Sequence, residues 1–99
     1  MKSDGEMWAL LFFDKAHANM DEKFVWRITG SGEFHIQAQN EKGEIILPIW
    51  GPEYHGGSNW ERPGDEWGTG FNFPEPGCWK ITVNHGTTTG EIALEVVAP

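Results

Sequence analysis

Apolar residues recur at every second position through most of this chain. In Phe24-Val25-Trp26-Arg27-Ile28-Thr29 the residues Phe24, Trp26 and Ile28 share one side, and Gly30-Ser31-Gly32 ends the run. A period of two turns one face of a strand to a core and the other to water. Phe34 to Gln39 repeats the pattern, with Phe34, Ile36 and Ala38 inward and His35, Gln37 and Gln39 outward. Trp79, Ile81 and Val83 continue it, and Ile92, Leu94 and Val96 mark a last strand. No amphipathic helix of useful length competes. The expected fold is all-β, an antiparallel β-sandwich of about seven short strands.

Turn chemistry separates the runs. Met7-Trp8-Ala9-Leu10-Leu11-Phe12-Phe13 is an apolar run of strand length, and the polar stretch Asp14 to Glu22 suits a turn of helix or a plain connection. Asn40-Glu41-Lys42-Gly43 reads as a hairpin turn, with Gly43 free to take positive φ. Glu44-Ile45-Ile46-Leu47 returns before Pro48 forces an edge or an exit. Trp67, Thr69, Phe71 and Phe73 fall on one parity, against Gly68, Gly70 and Asn72 on the other. Glycine at two such positions weakens a strand unless a bulge or a closely approaching neighbour uses the space, so a large side chain such as a loop tryptophan is expected against it. Pro74-Glu75-Pro76-Gly77 and Asn84-His85-Gly86 are the remaining turns.

With 99 residues the chain fits one domain, expected over 7–99 behind a flexible polar segment 1–6. Net charge is −8, from 15 acidic and 7 basic residues, and no basic cluster occurs, so nucleic acid is disfavoured as a partner. No apolar run approaches the ~20 residues of a membrane helix, so no membrane insertion by this chain is expected. Met1 to Glu6 is too polar to open a signal peptide, although a leader removed beforehand would leave this same sequence. A single cysteine, Cys78, permits no intrachain disulfide. A monomer is expected.

The stretch Trp50-Gly-Pro-Glu-Tyr54-His55-Gly-Gly-Ser-Asn59-Trp60-Glu61-Arg62-Pro-Gly-Asp-Glu-Trp67 has neither strand nor helix period. It reads as a long aromatic loop over 50–66. Loops of that length are functional or disordered, and a disordered one is poor in aromatics, so this loop is the first candidate site. Its aromatics fit three roles. Trp50, Trp60 and Trp67 suit a structural lid folded over the open end of the sandwich. Tyr54, His55, Asn59, Trp60, Glu61 and Arg62 suit a patch for a protein partner, where tryptophan, tyrosine and arginine are enriched. The same flat rings beside polar groups suit carbohydrate.

Catalytic patterns are weak by comparison. His17, His35, His55 and His85 lack the close spacing of a zinc motif, and no metal or cofactor is expected. Cys78 has Lys80 on its own strand face but no Cys-His pattern, and it suits a small apolar residue at a strand start. Glu53, Glu61, Asp65, Glu66 and Glu75 are the carboxylates available to a glycosidase, and nothing in their spacing sets the gap such an enzyme needs. The domain is expected not to be an enzyme.

Phe73-Pro74-Glu75-Pro76-Gly77-Cys78-Trp79-Lys80-Ile81-Thr82-Val83, with Gly86 and the closing strand, resembles the end of bacterial immunoglobulin-like domains, including the PKD-like kind. In those domains a Pro-Gly turn precedes a strand whose aromatic, two residues after the glycine, anchors the sheet corner. Trp79 stands where tyrosine is usual. The Pro-Gly-Cys-Trp version is most similar to small domains of unknown function in secreted proteins and lipoproteins of Gram-positive bacteria. The Trp-Gly-Pro and Gly-Ser-Asn-Trp segments extend the likeness over about Phe24 to Val97. No second cysteine pairs with Cys78, and Trp26 stands on the second strand, so no immune-type function is carried over. The resemblance implies an immunoglobulin-like sandwich in an exported or surface-attached protein. Together these readings give a non-catalytic interaction or accessory module that binds a protein through 50–67. The alternatives are a carbohydrate-binding module on the same aromatics, or a small proteinase inhibitor presenting the proline-braced Phe73 to Cys78 turn.

Overall fold

Nine strands are found among the residues described by a computed structural model, which are 7–11, 15–30, 32–56 and 65–99. They run β1 (Met7–Leu11), β2 (Ala16–His17), β3 (Asp21–Ile28), β4 (Phe34–Asn40), β5 (Ile45–Ile46), β6 (Trp50–Gly56), β7 (Asp65–Asn72), β8 (Gly77–His85) and β9 (Thr88–Val97). They form a four-stranded sheet ordered β1-β3-β7-β6 and a five-stranded sheet ordered β2-β9-β8-β4-β5. Two such sheets, each with one apolar face, bury those faces against each other as a β-sandwich. The orders β1-β3-β7-β6 and β9-β8-β4 correspond to the ABED and GFC sheets of the immunoglobulin-type sandwich. The expected segment 1–6 lies outside the described residues.

The count exceeds the expected seven because two of the strands are only two residues long. Within the stretch read as a turn or connection, Ala16–His17 pairs in parallel with Val96–Val97 at the edge of the second sheet. Ala18 N–H extends that contact to Val97 O at 2.8 Å. Ala16 and Ala18 are fully buried, small side chains where the chain crosses from one sheet to the other. β5 is shorter than the expected Glu44 to Leu47 because the chain is already leaving for the opposite sheet, where Ile49 N–H bonds Gly70 O at 2.8 Å.

The core follows the alternation. Phe24, Trp26 and Ile28 from β3, Phe71 and the following Phe73, and Trp79, Ile81 and Val83 from β8 are buried together with Phe34, Ile36, Ala38 and Val96. Phe24 stacks on Trp26 with ring centroids 5.4 Å apart and meets Phe71 edge-on at 5.7 Å. Each such ring contributes about 1.5–3 kcal/mol by leaving water, a large share of the stability of so small a domain. Trp26 Nε1 is satisfied within the core, donating to Thr69 Oγ1 at 2.8 Å.

Trp79 anchors the corner before β8. It is buried, and its Nε1 donates to Glu75 O at 3.0 Å, four residues back. A tyrosine hydroxyl makes the equivalent backward bond in immunoglobulin-type corners. The next turn lies later than expected. His85 still pairs with Thr88 across β8 and β9, so the hairpin closes on Gly86 and Thr87, with Gly86 at φ +62°.

Candidate functional site

The aromatic stretch is only partly a loop. Trp50–Gly56 forms β6, an edge strand antiparallel to β7, which corrects the expected loop over 50–66. Its register shifts between Trp50 and Glu53 and again between Tyr54 and Gly56. Each shift inserts backbone that flips the parity of the residues after it, and this erases the period of two. Gly51 at φ +78° sits at the first irregularity, against Gly68 O, where a side chain has no room. The Gly51–Pro52 peptide is cis.

The three tryptophans of the stretch have different surroundings. Trp50 is half-buried, and its indole occupies the space that a Cβ at Gly70 would need. The bare face of β7 therefore receives a tryptophan at Gly70, as expected from the glycine parity. Trp67 faces the core. Its ring stacks on Phe34 at 4.8 Å and meets His85 edge-on at 5.7 Å. Trp67 Nε1 is buried and has no hydrogen-bond partner among the described residues. Trp60 lies outside the described residues.

Of the six residues singled out from the sequence, Asn59, Trp60, Glu61 and Arg62 also lie outside the described residues, and His55 is placed as backbone in β6 only. Tyr54 is placed in full. Its ring is 5.0 Å from that of Trp67, yet 59% of the residue remains accessible.

Tyr54 has company that the sequence did not advertise. Ile45, Leu47 and Ile49 are exposed, Leu47 by 67%, on the segment that closes the side of the sandwich from β5 to β6. Their two-residue spacing puts these three on one side of the segment. They are outward because the segment leaves one sheet edge and joins the other without a layer above it. The apolar margin Ile45, Leu47, Ile49 and Tyr54 is the candidate site.

One end of the margin is held by a dense polar knot. Asn40 Oδ1 accepts from the N–H groups of Lys42 at 3.0 Å and Glu44 at 2.9 Å, closing the β4–β5 turn. Asn40 Nδ2 donates to Glu44 Oε1 at 2.8 Å and to Glu75 Oε1 at 3.1 Å, and Lys42 Nζ lies 3.3 Å from that same Glu75 oxygen. The Asn40 amide, above all, holds the Glu44 carboxyl below its ordinary value; the contact with Glu75 and the charge of Lys42 add to it against slight desolvation. The turn before β5 and the Pro74 to Gly77 turn are thus tied together, so the margin starts from a fixed base.

Cys78 is exposed, in a hollow of about 260 Å³ also lined by Gln39, Asn40, Glu41, Trp79, Lys80 and Ala93, and Lys80 Nζ lies 3.9 Å from Glu91. A second hollow of about 340 Å³ is lined by Thr82, Asn84, Thr89, Gly90 and Glu91. Neither contains an aromatic platform from β6. His35 pairs with Glu33 at 2.9 Å on the surface, whereas His85 is buried with Nδ1 3.1 Å from Thr29 O. Among the described residues no three His, Cys, Asp or Glu side chains gather as a metal site, and no helix is long and apolar enough to cross a membrane.

No protein-family model matches the chain, and no curated protein matches it.

Proposed function

We propose that this domain is a non-catalytic interaction module that binds a protein partner along the margin from Ile45 to Tyr54. The observation that carries the reading is the exposure of Ile45, Leu47, Ile49 and Tyr54 along the segment that runs from the β5 edge of one sheet to the β6 edge of the other. Scattered surface apolar residues need no explanation, but a run of large ones beside an aromatic marks an interaction surface. Tyr54 is the anchor, a rigid amphipathic ring of the kind that dominates interface energetics, and Leu47 is the most accessible large apolar residue among those described.

Carbohydrate is the less favoured ligand. Sugar recognition uses open flat rings, and Trp50 and Trp67 have theirs engaged by Gly70 and Phe34. Among the described rings of the stretch, that leaves Tyr54 as the accessible one, too little for a stacking platform. Placement in an exported or surface-attached bacterial protein rests on the resemblance of Phe73 to Val83 alone.

A displayed random-peptide library panned on the folded domain tests the reading. Selected peptides are expected to lose binding to the double variant Leu47→Ser, Tyr54→Ser by tenfold or more, about 1.4 kcal/mol. Selected peptides that bind the double variant undiminished would overturn it.

A further inference from the structure

We infer that the partner at the Ile45 to Tyr54 margin is a cationic segment of another protein, in which large apolar residues are flanked by Lys or Arg. The inference rests on the protein-binding reading above and adds the sign of the partner's charge.

Both ends of the margin are acidic. Glu44 directly precedes Ile45 and Glu53 directly precedes Tyr54, and both are exposed, as is Glu41 on the turn before β5. Consecutive Cα atoms are ~3.8 Å apart, well inside the Debye length of about 8 Å at physiological salt, so each carboxylate is felt by whatever lies on its apolar neighbour. Glu44 stays ionised at neutral pH, because the Asn40 amide first of all holds its carboxyl below the ordinary value.

The described cations are placed elsewhere. Lys23 and Arg27 are on β3, Lys80 is on β8, and Lys15 precedes β2, which is the edge of its sheet opposite to β5. Lys42, on the turn before β5, has its Nζ 3.3 Å from Glu75 Oε1. From Gly43 to Gly56 the sequence holds Glu44 and Glu53 and no Lys or Arg.

That placement selects among occupants. A second copy would bring a further net charge of −8 to an acidic strip, and nucleic acid or an anionic lipid surface is repelled in the same way. A neutral apolar segment would cover Ile45, Leu47 and Ile49 but would draw the neighbouring carboxylates away from water with nothing in return. A segment with basic ends covers the apolar residues with its centre and meets Glu44 and Glu53 at the rim. Opposite charges there steer the encounter and reject acidic competitors.

Peptides selected on the folded domain at about 150 mM salt test this, with binding followed by fluorescence anisotropy. Those whose affinity depends on Leu47 and Tyr54 are expected to be enriched in Lys and Arg over the starting library, and replacing these cations by Gln is expected to weaken binding about tenfold. Glu44→Gln combined with Glu53→Gln keeps an oxygen for Asn40 Nδ2 and is expected to weaken the same peptides about fivefold. Glu91→Gln combined with Glu95→Gln, an equal change of net charge on β9, is expected to leave affinity within about twofold. Margin-dependent peptides without the basic enrichment, or equal losses from the two pairs of substitutions, would overturn the inference and leave the protein-binding reading standing. Peptides indifferent to Leu47→Ser, Tyr54→Ser would overturn both.

Discussion

The indole of Trp50 fills the space above Gly70 on the neighbouring strand, so that a single added methyl at residue 70 would collide with it. The pair joins β6 to β7 where the backbone ladder between them is irregular. It also explains why a buried strand tolerates glycine at this position.

Gly70→Ala is expected to destabilise the domain by about 1–3 kcal/mol, through overpacking alone, since no positive φ is involved there. In a Trp50→Ala background the methyl finds room, and the same substitution becomes neutral or mildly stabilising. Urea denaturation of the four proteins of the cycle measures the coupling. Additive effects would show that the indole is elsewhere.

Trp67 and Trp26 are both aromatic members of one core and differ in one bond. Trp26 Nε1 has Thr69 Oγ1 as acceptor, whereas Trp67 Nε1 is buried without one among the described residues. Trp67→Phe removes an unsatisfied donor and is expected to cost about 1 kcal/mol or less, the gain offsetting lost area. Trp26→Phe strands the buried Thr69 hydroxyl and leaves a void, so its cost is expected at about 2–4 kcal/mol. Chemical denaturation orders the two variants, and a reversed order would contradict the hydrogen-bond assignment.

Glu44 ties the start of the margin to pH. Its folded carboxyl is held below its ordinary value, first by Asn40. Its contribution is therefore fully present above the unfolded value and is lost as pH falls through the lowered folded value. A carboxyl-carbon NMR titration is expected to place the Glu44 midpoint below that of an unstructured peptide, and Asn40→Ala to raise it. An unchanged midpoint in Asn40→Ala would remove Asn40 as the cause.

How far the sequence carried depends on ladder regularity. β3, β4 and β8 pair without interruption, so Phe24, Trp26, Phe34, Ile36, Trp79 and Ile81 kept their parity and could be read as core. β6 could not be read, because two register shifts in seven residues scramble which side chains face inward. β2 was invisible for another reason: two residues carry no period, and the parallel pairing with β9 is made by tertiary contact.

The candidate site was half legible. Tyr54 stood out as an aromatic in an aperiodic stretch, and the structure leaves it exposed. Leu47 did not, because Ile45, Leu47 and Ile49 at two-residue spacing carry the same alternation as a core-facing strand. Only the crossing from β5 to β6, a property of the assembled sandwich, turns it to solvent.

Partner binding through the Ile45 to Tyr54 margin is tested most directly by amide chemical-shift mapping of the isotope-labelled domain with a library-selected peptide. The largest changes are expected at residues 45–54, with Leu47 and Tyr54 at the centre and their serine variants abolishing them. A map centred instead on Lys80, Thr82 and Glu91, on the outer face of β8 and β9, would contradict the assignment of the site.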